Sequence, residues 1–73
     1  MNGPETLHRA RKKIAQLRDA RERFDLDLSY SVASGWLAAL LTEGVINSPI
    51  YHDLYRELDE THRIVLDELP AKI

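Results

Sequence analysis

The residues best equipped for proton or metal chemistry in this chain are His8, His52 and His62 and the carboxylates around them. The run "DETH" sets Asp59 one helical turn before His62, a spacing that brings a carboxylate to an imidazole on neighbouring faces. Metal or nucleophilic chemistry asks for more. There is no His-x3-His pair, no Gly-rich phosphate loop and no Gly-x-Ser-x-Gly elbow. Cysteine is absent, which removes thiolate zinc sites and disulfides and suits a reducing compartment. The sequence therefore assigns no catalytic, cofactor-binding or metal-binding residue, and a non-enzymatic protein without cofactor or small-molecule substrate is expected. His62 falls within an apolar stripe and reads as a core-edge histidine hydrogen-bonded to a hydroxyl or to Asp59.

Charge carries more information. Residues 1–24 hold seven Lys/Arg against three acids, and residues 25–73 hold three against nine, so the net charge of −2 conceals two opposed halves. Arg9, Arg11, Lys12, Lys13, Arg18 and Arg23 lie opposite or beside the apolar stripe of the first segment and form the candidate partner-binding surface. Such a surface can meet phosphates with release of counterions, an acidic protein, or the acidic end of a second copy. A helix-turn-helix reading is disfavoured, because its reading helix would be "PIYHDLYRELDE", with four acids against one arginine. A protein partner is favoured over nucleic acid, the more so because no aromatic residue is interleaved with the cations of the first segment.

Three helices must position these groups, and no strand is predicted. Leu7, Ala10, Ile14, Leu17, Arg21 and Phe24 recur at steps of three and four, with Gly3 and Pro4 as cap and first residue, which predicts a helix over about 4–24. Asp25, Asp27 or Ser29 then caps a second helix over about 29–43, closed by Gly44. Ser48 and Pro49 open a third over about 49–69, whose stripe includes Leu54, Leu58 and Val65. The short connections predict antiparallel neighbours and one helical domain over 1–73.

The middle helix is uncharged from Leu28 to Thr42. Its larger residues, Val32, Trp36 and Leu40, are expected to join Leu17, Phe24, Leu54, Leu58 and Val65 in the core. Its small residues Ser31, Gly35, Ala38 and Thr42 form a second face on which another backbone can come close. A core of this size is worth only about 3 to 5 kcal/mol without a staple, so this face is the expected interface of a homodimeric helical bundle. Arg21, inside the first apolar stripe, is expected either to pair with Glu57 or Glu68 or to extend its head to water.

The uncharged run is 15 residues, short of the roughly 20 that span a bilayer, and the opening "MNGPETLHRA" lacks the apolar core of a signal peptide. No membrane association is expected, and a cytoplasmic location is. The segment "LLTEGVINSPIYHDLYREL" is similar to short helical hairpins of many small bacterial and phage proteins. In size, lack of cysteine and segregated charge the chain resembles phage and plasmid proteins that block host machinery, anti-CRISPR and anti-activator proteins among them. That resemblance implies a regulatory or inhibitory role and transfers no functional residue. The alternative is a nucleic-acid-associated regulator using the basic first helix.

Overall fold

The computed structural model describes residues 3–70, and all regular structure within them is helical. Residues 1–2 and 71–73 of the expected domain lie outside the described residues. Helix α1 spans Pro4–Ala15, a 3₁₀ turn covers Gln16–Asp19, α2 spans Arg23–Thr42 and α3 spans Ser48–Glu68.

Helix α1 opens as its sequence predicts, with an extended Gly3 as N-cap and Pro4 in the first turn, where its missing N–H costs nothing. It does not run to Phe24. After Ala15 the chain tightens into the 3₁₀ turn, Ala20 is extended, and α2 begins at Arg23, six residues earlier than expected. No Gly or Pro marks this break. Its cause is tertiary: nine residues at 100° each turn a continuous helix to its opposite face, so Leu17 and Leu26 could not both enter one core. Breaking the helix buries both completely. Asp25, Asp27 and Ser29, expected as caps, lie inside α2, whose N-cap is Glu22 without a capping bond from its side chain.

The connection from α2 to α3 follows local rules closely. Gly44 sits at φ 74°, a left-handed conformation that side chains resist. Its N–H donates to Leu41 O at 3.1 Å and that of Val45 to Leu40 O at 2.9 Å, the paired bonds of a Schellman motif. Ile46 is buried beneath the turn. Asn47, not Ser48, caps α3: its side chain accepts from Ile50 N at 3.0 Å, and Pro49 follows in the first turn.

The core consists of Ala10, Ile14, Leu17, Leu26, Ala33, Leu37, Ile46, Leu54, Leu58 and Val65. Of the eight core residues expected, Leu17, Leu54, Leu58 and Val65 are buried, and Trp36 and Leu40 pack partly buried at the edge. Phe24 and Val32 are corrections, at 71% and 51% exposed. Phe24 lost its place when the first helix broke. On α2 the buried face is centred on Leu26, Ala33 and Leu37, so Val32, one residue before Ala33, lies about 100° away from it.

Side chains cross between helices in an orderly way. Asp27 meets His62, Tyr30 meets Asp59 and Ser34 meets Tyr55, so positions later in α2 meet positions earlier in α3. Arg11 of α1 reaches Glu57 of α3 at 3.3 Å. No helix among the described residues is long and apolar enough to cross a membrane.

Candidate functional site

Three surfaces hold the candidate residues. The first is the outer face of α2. Ser31, Gly35, Ala38 and Thr42, expected to meet a second copy, are all exposed, and Phe24, Leu28, Val32 and Ala39 are exposed with them. Phe24, Leu28 and Val32, at 71%, 55% and 51%, follow each other at intervals of four and so form one continuous ridge. Phe24 and Leu28 belong to this face because α2 begins at Arg23, which sets them opposite Leu26, Ala33 and Leu37, with Val32 about 100° from that buried side. The face is thus half bulky, toward its N-terminal end, and half small, toward its C-terminal end. Gly35 has nothing within 4 Å of where a Cβ would stand, so the small half is open on the outside of the chain.

The second surface is basic. Arg9, Arg11, Lys12, Arg18 and Arg23 are exposed and Lys13 is partly so. The six do not act as one patch. Arg9 pairs with Glu5 at 2.6 Å, Arg23 approaches Asp27 at 3.7 Å, and Arg11 is held by Glu57. Arg21, expected either against Glu57 or Glu68 or with its head in water, stands exposed in the bend before α2, outside these ion pairs; Arg11 takes the place beside Glu57. Arg9, Lys12 and Lys13 come together with Gln16 and Trp36 around a shallow concavity of about 390 Å³. An aromatic ring therefore does accompany the cations, although none is interleaved with them in the first segment. It comes from α2, 20 or more residues away in the chain, and local spacing carries no sign of it.

The third surface is the polar seam between α2 and α3. Tyr30 Oη donates to Asp59 Oδ1 at 2.6 Å and lies 3.4 Å from Tyr55 Oη, which is 2.8 Å from Ser34 Oγ. His62 Nε2 is 3.1 Å from Asp27 Oδ1, and its ring meets that of Tyr30 edge-on with centroids 4.9 Å apart. The expected pairing of His62 with Asp59 is thus replaced: each takes a partner on α2. The hydrogen bond to the Asp59 carboxylate, then that to Tyr55, burial and the nearby negative charge, all favour the neutral phenol and push the Tyr30 pKa up. Beside this seam Tyr51, His52, Tyr55, Arg56 and Asp59 line an open hollow of about 430 Å³. Among the described residues no group of three His, Cys, Asp or Glu is placed to hold a metal ion.

Comparison with protein-family models, with curated proteins and with solved structures finds no match for this chain.

Proposed function

We propose that this is a non-enzymatic, regulatory or inhibitory interaction protein that docks the uncharged outer face of α2 onto another protein surface, a second copy of itself included. The observation that carries this reading is the ridge of Phe24, Leu28 and Val32, three large apolar side chains more than half exposed in one row on a small chain. Contiguous apolar surface of this kind marks association sites, whereas single exposed apolar residues do not. His62 and Asp59 engage Asp27 and Tyr30 and so join α3 to α2. The order of those contacts along the two helices supports an antiparallel arrangement within the domain.

The test is capture of partners from the native source with the intact protein and with Leu28→Glu, quantified by mass spectrometry. Loss of the same partners in the variant, with helical content unchanged by circular dichroism, is the expected result. Equal capture would overturn the assignment of the docking face.

A second reading is favoured by one observation, the presence of Trp36 beside Arg9, Lys12 and Lys13. Cations that follow a phosphate backbone next to a ring on which a base can stack are the elements of a single-strand binding groove. Oligonucleotide affinity falling steeply between low and physiological salt, and lost in Lys12→Glu, would support this reading; absence of binding at low salt would remove it.

A further inference from the structure

The outer face of α2 has a size pattern that reverses about its own midpoint. The exposed positions Phe24, Leu28, Ser31, Gly35, Ala38 and Thr42 recur at steps of four, three, four, three and four, a seam that stays on one side of a helix. The steps read the same in both directions, and the pattern is centred at the height of Ala33. Reversing the helix exchanges large for small at its two ends, Phe24 with Thr42 and Leu28 with Ala38, and small for small at its middle, Ser31 with Gly35.

From this we infer that the occupant of the face is a second copy of the chain, its α2 antiparallel to the first across a two-fold axis at the height of Ala33. The inference rests on α2 being the docking face and adds the identity and register of what covers it. The two large side chains of the seam then each meet a small residue, Phe24 against Thr42 and Leu28 against Ala38 of the second copy. Val32 lies on one flank of the seam close to the axis, and there it meets Val32 of the second copy. A parallel pairing would stack Phe24 on Phe24 and Leu28 on Leu28 while leaving Gly35 and Ala38 facing one another across a gap, and packed interiors do not tolerate that.

Charge does not choose between the two arrangements. The last turn of α2 has no basic residue and its C-cap is Glu43, so the negative end of the helix dipole is uncompensated within the helix. Antiparallel pairing sets it beside the positive end of the second α2, at the height of Arg23. Glu22, Asp25 and Asp27 share that end and offset both Arg23 and the dipole, so the ordering of the two helices is decided by side-chain size. The seam is about 30 Å long and about 12 Å wide, on the order of 700 Å² over both copies, which belongs to weak, reversible association rather than to an obligate dimer. Micromolar or weaker self-association is expected.

The cysteine-free chain allows a direct test. Leu28→Cys and Ala38→Cys are both on the exposed face, and ten residues separate them by about 15 Å, too far for a disulfide within one helix. Mixed in equal amounts and oxidised, the two variants should form the unlike disulfide, while each alone should cross-link several-fold less. Circular dichroism before oxidation checks that both are folded. Self-cross-linking of Leu28→Cys alone would overturn the register in favour of a parallel pair. No cross-link in any combination, with a monomer mass by sedimentation at millimolar concentration, would overturn the second copy as occupant. The capture experiment with Leu28→Glu would still decide the docking reading on its own.

Discussion

The contrast between Leu17 and Phe24 shows how burial, rather than residue type, sets what a side chain is worth in this protein. Leu17 is fully buried, so Leu17→Ala should cost about 2 to 5 kcal/mol, a large part of what a small domain has. Phe24 is 71% exposed, and in dilute solution Phe24→Ala should change stability by no more than about 0.5 kcal/mol. Urea midpoints of the two variants at micromolar protein check both values; a cost for Phe24→Ala like that for Leu17→Ala would contradict the exposure. Tyr30 permits a pH prediction. Its phenol is held neutral more firmly in the folded chain than in the unfolded one, chiefly by the Asp59 carboxylate. The unfolded phenol therefore loses its proton first as pH rises past about 10, and folding stability falls there; below that pH Tyr30 adds no pH dependence. Tyr30→Phe should lower stability by about 1 kcal/mol near neutrality and flatten the decline above pH 10. Parallel curves for the two proteins would disprove the role of Asp59. Arg21 shows why single residues were only partly legible: the sequence left it either a carboxylate or water, and it stands exposed, while Glu57 receives another cation of the first segment. That cation is Arg11 of α1, and the break in the helix takes Arg21 out of the stripe.

At the scale of the element, local chemistry was read well where it alone decides and badly where packing decides. Gly3, Pro4 and Gly44 act as their types dictate, and Asn47 does the capping assigned to its neighbour Ser48. Nothing local distinguishes "QLRDARER" from the middle of a long helix. Its break depends on Leu26 reaching the same core as Leu17, which becomes visible only when α2 and α3 are placed. Gly44 and Gly35 should respond oppositely to alanine. Gly44→Ala places a side chain at φ 74° and should cost about 1 kcal/mol. Gly35→Ala, in an exposed helix interior with open space around it, should gain about 0.5 to 1 kcal/mol in the monomer. Thermal melts of both at low concentration check the pair of signs. A loss for Gly35→Ala would mean that the face is already covered under those conditions.

The whole molecule is extended for its length. Its radius of gyration is 12.8 Å, against about 11 Å for a compact chain of this size, and its axial extents are 45 × 17 × 16 Å. A rod exposes more surface per residue than a sphere, so part of its stability should come from association. The melting temperature is expected to rise with protein concentration across the micromolar to millimolar range, and to lose that dependence in Leu28→Glu. A melting temperature independent of concentration in both would argue that no copy of the chain covers α2. At this scale the sequence revealed the charge division between the first segment and the rest but not how it is used. Arg11 carries it from α1 to α3 by its pair with Glu57, whereas Arg9 and Arg23 pair within their own helices with Glu5 and Asp27.

The Schellman turn at Gly44, with Ile46 buried beneath it, has a consequence in time. Leu37, Ile46 and Leu54 lie close together along the chain, so α2, the turn and α3 can meet after closing a short loop, at little entropic cost. Helix α1 contributes only Ala10 and Ile14 to the buried set, with Leu17 just beyond it, and must return over the 3₁₀ turn to a surface that α2 and α3 have already formed. Folding should thus start at the turn and finish with the docking of α1. Leu37→Ala and Leu54→Ala should slow refolding, whereas Ile14→Val should mainly speed unfolding. Amide hydrogens of α1 should exchange first, at an opening energy below that of the global transition, which makes the basic segment the part of the chain most readily released to meet something else.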